Sequence, residues 1–312
     1  MSKTTDLDEV GNKPFKILSI DGGGVRGVFA AKILSLMETK LHINTYEAFD
    51  LIVGTSTGSI IAAAIAVKYD LTQLVEDYLE NASKIFRKRI SFWGLLRSKY
   101  DSKFLADFLL SRLGDITLGK IEKPLILNAT NASVGDVHIF KSSYQQKRKG
   151  DYVRDGEVPL HKAVLASSSA PIYFDPVDIN GTLVCDGGIW ANNPSLVGYT
   201  DAIRNFQTDK IKILSLGTGQ AKQVYRSEKI WGFLTGWKKT KLVDFLMSCQ
   251  TKFPQNILSL IDPERILRIN PDIDNYELDN YENVPTLIEL AKAEFTRDNT
   301  KISTFLDLET NK

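Results

Sequence analysis

The sequence predicts an α/β protein with a central, mostly parallel sheet flanked by helices. Two observations point there. First, strand, glycine turn and helix-patterned run follow one another twice, in "ILSIDGGGVRGVFAAKILSLM" and "FDLIVGTSTGSIIAAAIAV". Second, further short apolar runs alternate with stretches of helical spacing, the order expected of strands joined by helical crossovers.

Met1–Pro14 is polar and reads as an N-terminal arm. Residues 15–312 read as one domain, with a C-terminal elaboration from about residue 220. Phe15–Ile20 is a short apolar strand, and Val28, Ala31, Leu34 and Met37 recur at helical spacing within Gly27–Leu41. A second strand is expected at Phe49–Val53, with a buried helix from about Thr57. Later strands are expected at Leu125–Ala129, His138–Phe140, Leu183–Cys185 and Lys212–Leu216. Helices are expected near Thr72–Ile85, Ser102–Leu113, Leu160–Ser167 and Pro194–Phe206. Pro194 suits a first helical turn, where its missing N–H leaves no bond unmade. Two tail helices are expected near Lys241–Cys249 and Thr286–Phe295.

Composition narrows the function. The 312 residues carry a net charge of +1, so no global field favours a nucleic-acid polymer. Cys185 and Cys249 are too few for a disulfide framework. The start has no apolar h-region, and nothing approaches the run of about eighteen apolar residues that spans a bilayer. A cytoplasmic protein is expected.

Gly54-Thr55-Ser56-Thr57-Gly58 is G-x-S-x-G between an expected strand and an expected helix, the context of a nucleophile elbow. Side chains at Gly54 and Gly58 would collide with backbone, and Ser56 is pushed out at the strand's end. Serine needs a base to attack an ester at neutral pH. His42, His138 and His161 are the three histidines, and none follows an acid in a glycine-punctuated turn. Asp186 is the better candidate. It ends an expected strand, precedes Gly187-Gly188, and would share a rim with Ser56. Partial desolvation would strengthen it as a base. A plain Asp-Gly turn is the competing reading.

Gly22, Gly24 and Gly27 spell G-x-G-x-x-G, but a dinucleotide site needs an acid at the end of the second strand. That strand ends in Gly-Thr-Ser-Thr-Gly, and Asp50 stands at its beginning. The alternative is an oxyanion hole. Gly22, Gly23 and Gly24 can point successive N–H groups at one spot, with Arg26 acting there or locking the loop.

Asp21-Gly22-Gly23-Gly24-Val25-Arg26-Gly27, the Ser56 turn and Asp186-Gly187-Gly188, in that order, resemble the patatin-like phospholipases. "ASSSAP" (Ala166–Pro171), "ANNP" (Ala191–Pro194) and "SLGTG" (Ser215–Gly219) resemble them too. The resemblance runs from about Phe15 to Gly219 and implies the family's three-layer fold. It implies a lipid acyl hydrolase of phospholipase A type that needs no calcium or other cofactor, with Ser56 as nucleophile, Asp186 as base and Gly22–Gly24 with Arg26 as oxyanion hole. Some bacterial members of this size are effectors in cyclic-oligonucleotide antiphage signalling, so a cyclic nucleotide activator is carried as an expectation, without assigned residues. No metal site is expected: an EF-hand loop starting at Asp272 would need glycine where Glu277 stands, and Asp272–Glu282 reads as a solvated loop.

"ISFWGLLRSKY" (Ile90–Tyr100) and "IWGFLTGWKK" (Ile230–Lys239) pair tryptophan with apolar and basic residues, as does a membrane-contacting surface. Phe86–Arg89 and Lys147–Lys149 would add attraction to anionic lipid. Trp231 and Trp237 are expected on a lipid-facing rim at the inner face of the membrane, against the reading that they fill the core. Two other function classes remain open: a non-catalytic lipid- or nucleotide-binding scaffold, and a dinucleotide-binding oxidoreductase.

Overall fold

Alternation along the strands assigns their side chains to two faces. The computed structural model describes residues 13–89, 97–144, 154–221, 239–273 and 277–308. Ten strands run in chain order: β1 (Phe15–Ile20), β2 (Leu51–Thr55), β3 (Leu125–Asn131), β4 (Asp136–Lys141), β5 (Val177–Ile179), β6 (Thr182–Asp186), β7 (Ile211–Leu216), β8 (Gln220–Ala221), β9 (Ile266–Ile269) and β10 (Asp272–Ile273). The main sheet has the order β5-β6-β3-β2-β1-β7-β9, with β4 also on β3. Ile17, Leu51, Val53, Ile126 and Ile213 bury on one face, and Leu18, Ile20, Ile52, Leu127 and Leu214 on the other. This two-residue period is what a sheet covered on both sides requires.

Helices Gly27–Leu41, Thr57–Ala66, Leu71–Ile85 and Val284–Phe305 share a core with the second set. Tyr199, on helix Ser195–Asp201, and Leu258, on helix Lys239–Ile261, bury with the first. The result is three layers, helix on sheet on helix. Asp70 caps the helix Leu71–Ile85 by accepting the Thr72 and Gln73 N–H groups at 2.7 and 2.9 Å.

The direction of β6 determines where the site forms. β1 pairs in parallel with β2 and β7, and β2 with β3. β4 and β6 run antiparallel to β3. A strand has only two hydrogen-bonding edges. β4 occupies one edge of β3, along Ile126–Asn131. The other edge is therefore shared: β2 pairs with Leu125–Asn128 and β6 with Ala129–Asn131. The two strands approach from opposite directions and their carboxyl ends meet.

Several boundaries differ from the sequence expectation. The second strand begins at Leu51, two residues later than expected. Pro194 is the residue before the helix Ser195–Asp201 and lies outside its first turn. The tail helices are longer, Lys239–Ile261 and Val284–Phe305. The former continues through Pro254, whose ring is buried, so packing offsets the bond it cannot donate. β5, β8, β9 and β10 were not expected. Asp279 departs from the solvated-loop expectation: it is buried and bonded by Lys99 and Tyr100. Burial pushes its carboxyl up, but those two bonds reverse the effect and hold it below the ordinary range. The N-terminal arm to residue 12, Trp93, Lys147–Lys149, Trp231 and Trp237 lie outside the described residues. Among the described residues no helix is long and apolar enough to cross a membrane.

Candidate active site

Ser56 stands between β2 and the helix Thr57–Ala66 with φ 55° and ψ −125°, a combination that side chains rarely adopt. The glycines around it make this bend feasible. A side chain at Gly54 would strike the Gly58 carbonyl, and one at Gly58 would strike the Ile20 carbonyl of β1. The bend is held from outside by the segment Ser167–Ser169. The Ser56 N–H donates to Ser167 Oγ at 3.2 Å, and Ser168 Oγ donates to the Ser56 carbonyl at 3.1 Å. Ser167 is itself fixed, donating to the Asn128 carbonyl of β3 at 2.5 Å.

Asp186 is placed with equal firmness. Its N–H donates to the Ser169 carbonyl at 3.0 Å, and its carbonyl accepts from Thr130 Oγ1 at 2.7 Å. Its Oδ1 accepts the Gly188 N–H at 2.6 Å. The Ser56 hydroxyl hydrogen-bonds the carboxylate. The pairing explains this proximity: Thr55 stands opposite Asn128 and Asp186 opposite Ala129, consecutive residues of β3. The sequence places Asp186 at a strand end on the same rim as Ser56, with no direction assigned to that strand. Asp186 is on that rim and arrives head-on from an antiparallel strand. Gly187 is required by close approach, since a side chain there would strike the Asn128 carbonyl.

Burial pushes the Asp186 carboxyl up to about 6, against the opposing pull of its bonds from Ser56 and Gly188. The group is thus ionised at neutral pH and more basic than an exposed aspartate. None of the three histidines lines the cavity that holds this pair. His42 ends the helix Gly27–Leu41, His138 faces Asp155, and His161 faces Asp115.

The glycine loop lies beside Ser56. Space for a Gly22 side chain is taken by Asn192 Oδ1 and the Ser56 Cβ, at 2.5 and 3.0 Å from where its own Cβ would sit. Of the three only Gly24 lies in the left-handed region, with φ 59°; Gly22 and Gly23 are needed for close approach. The Gly22 N–H donates to the Asn192 carbonyl at 3.0 Å and is already committed. Among the described residues no acceptor meets the Gly23 or Gly24 N–H, which leaves these two to face a ligand. Arg26 Nε donates to the Gly23 carbonyl at 3.4 Å, the locking role among its two expected ones, and Arg26 also lines the cavity.

The cavity measures about 790 Å³. Leu74, Tyr78, Ile85 and Phe86, in and just after the helix Leu71–Ile85, and Leu105 and Phe108, on the helix Ser102–Leu113, line it together with Ser56, which gives the cavity an apolar surface. Among the described residues no group of His, Cys, Asp or Glu could hold a metal ion. Sequence reasoning did not single out the bonds of Ser167, Ser168 and Ser169 to Ser56 and Asp186. The run of three serines was the available signal.

A cGAMP-activated phospholipase of Escherichia coli is 30% identical over 87% of this chain and 81% of that protein. A cGAMP-activated phospholipase of Vibrio cholerae is 34% identical over 65% of this chain, which spans 64% of that relative's length. A cUMP-AMP-activated phospholipase of Escherichia coli is 31% identical over 70% of this chain and 69% of its own. The model of one family, described as patatin-like phospholipase, matches residues 18–197, which take in both glycine turns, Ser56 and Asp186. With more than half its length so matched, this chain belongs to the patatin-like phospholipase family.

Proposed function

We propose that this protein hydrolyses fatty-acyl esters of membrane glycerophospholipids through a Ser56–Asp186 dyad, without calcium. Asp186 takes the hydroxyl proton as Ser56 Oγ attacks the ester carbonyl. The N–H groups of Gly23 and Gly24 receive the oxyanion, where such donors are each worth roughly 2.7–4 kcal/mol. Asp186 passes that proton to the departing lysolipid oxygen; it then takes a proton from water, which attacks the acyl-serine, and returns it to Ser56 Oγ as the fatty acid leaves. The apolar surface of the cavity suits an acyl chain. The observation that carries the reading is a strained serine hydrogen-bonded to a buried carboxylate raised to about 6.

The names of the relatives support a further step: a cyclic dinucleotide switches the enzyme on. Action in antiphage defence at the cytoplasmic face of the membrane is our proposal and goes beyond those names. The test is mass spectrometry of mixed bacterial phospholipids after incubation with wild-type and Ser56→Ala protein, each with cGAMP, cUMP-AMP or no nucleotide. Free fatty acid and lysolipid are expected from wild type alone, and more of both with one nucleotide. Equal release by folded Ser56→Ala protein removes the nucleophile assignment, and equal release with and without either nucleotide removes the switch.

A further inference from the structure

Arg268 lies on β9, in the part of the chain beyond the glycine turns. Its Nη1 donates to Asp21 Oδ1 at 2.8 Å and its Nη2 donates to Asp21 Oδ2. The same Nη1 donates to Ser215 Oγ of β7 at 2.7 Å. Arg268 stands opposite Ser215 in the β7–β9 register, so the fork reaches across β7 to the residue that follows β1. Asp21 is 1% exposed, and it is the first residue of the glycine loop.

The neighbouring bonds show what this fork adds. The Gly22 carbonyl accepts from Thr218 Oγ1 at 2.8 Å and Asn192 Nδ2 at 3.3 Å, and Val25 N–H donates to the Leu278 carbonyl at 2.9 Å. These hold the loop's backbone. Asp21 supplies the loop's only carboxylate, and a buried carboxylate without a partner is strongly destabilising. Unpaired, it would also set a negative charge close to the developing oxyanion. The charged groups acting on it are Arg268 from β9 and Arg26 from its own loop. β7 presents the neutral Ser215, and the Leu278 segment brings Glu277 into the same cavity.

We infer that Arg268 is a positioning residue for ester hydrolysis: from β9 it grips both oxygens of Asp21, fixing the bend that sets the Gly23 and Gly24 N–H groups before Ser56 and cancelling a charge that would oppose the oxyanion. The inference rests on the proposed dyad. Burial pushes the Asp21 carboxyl up while Arg268 pulls it down, so loss of the guanidinium leaves a group that ionises late.

The test compares wild type, Arg268→Met, Arg268→Lys and the double variant Asp21→Asn/Arg268→Met. The readouts are kcat and KM on p-nitrophenyl butyrate from pH 6 to 10, and the rate of fluorophosphonate labelling. Arg268→Met is expected to lower kcat and labelling roughly ten- to a hundredfold with KM little changed, as misplacement of a donor does. It should also show a new loss of kcat at alkaline pH as Asp21 ionises unpaired. Arg268→Lys should recover part of kcat without the alkaline loss, and the double variant should lack that loss while staying below wild-type kcat. Wild-type kcat and pH profile in Arg268→Met overturn the inference. Should Arg268→Met fail to fold, full wild-type kcat in the double variant overturns it instead. Wild-type protein that is neither labelled nor active overturns the proposed dyad, a distinct result.

Discussion

Replacing Asp186 with asparagine should abolish hydrolysis and make the protein more stable. The carboxyl is 4% exposed, and burial lifts it from an ordinary 3.8 to about 6. Its folded value therefore lies above its unfolded one, and the folded state binds the proton more tightly. The stability this contributes is fully present below about pH 3.8 and is lost as pH rises through about 6. The gap between 3.8 and about 6, at about 1.36 kcal/mol for each pH unit, comes to about 3 kcal/mol at neutral pH and above. Asparagine carries no charge to desolvate, and its Oδ1 can still accept the Gly188 N–H that Asp186 accepts at 2.6 Å. The variant should thus gain up to about 3 kcal/mol at pH 8, or a melting temperature higher by about 5 °C for a chain of this size. The assay is urea or thermal unfolding of both proteins at pH 8 and at pH 4. At pH 4 most of the difference should vanish, because Asp186 is then protonated in the folded wild type. A variant less stable than wild type at pH 8, or one favoured equally at both pH values, would refute the reasoning.

Two further outcomes follow from the same geometry. Ser56→Gly and Ser56→Ala should both resist fluorophosphonate labelling, but the glycine variant should be the more stable by about 1 kcal/mol, because φ 55° strains alanine and not glycine; equal denaturation midpoints count against the strain. Wild-type kcat/KM should fall about tenfold for each pH unit below about 6, as the base is protonated, and EDTA should leave it unchanged; a profile flat to pH 4.5, or loss of activity on chelation, goes against Asp186 as the base and against a metal-free dyad respectively.

Much of the site was legible in the sequence because it is made by short-range backbone constraints. Gly54 and Gly58 announce a bend around Ser56, and the bend is there because any side chain at either position meets carbonyl oxygen. Asp186 was readable as a carboxylate at a strand end followed by two glycines. The oxyanion loop was readable only in part. Three glycines signal close approach, but the Gly22 N–H is captured by Asn192, which is 170 residues further along the chain. The missed strands carry no uninterrupted run of three apolar residues: β5 is Val-Asp-Ile, β8 Gln-Ala, β9 Ile-Leu-Arg-Ile and β10 Asp-Ile.

The amino-acid order by itself determined the two glycine bends, the reactive serine, the candidate base and the apolar runs that make strands buried on both faces. These depend on φ, ψ and side-chain volume within a few residues, which any local segment carries with it. Only the tertiary structure decided that β2 and β6 share one edge of β3 and bring Ser56 against Asp186, or that Arg268 reaches Asp21 across β7. Such contacts depend on which strand takes which edge. That choice is settled by burying the whole sheet at once, and no local pattern encodes it.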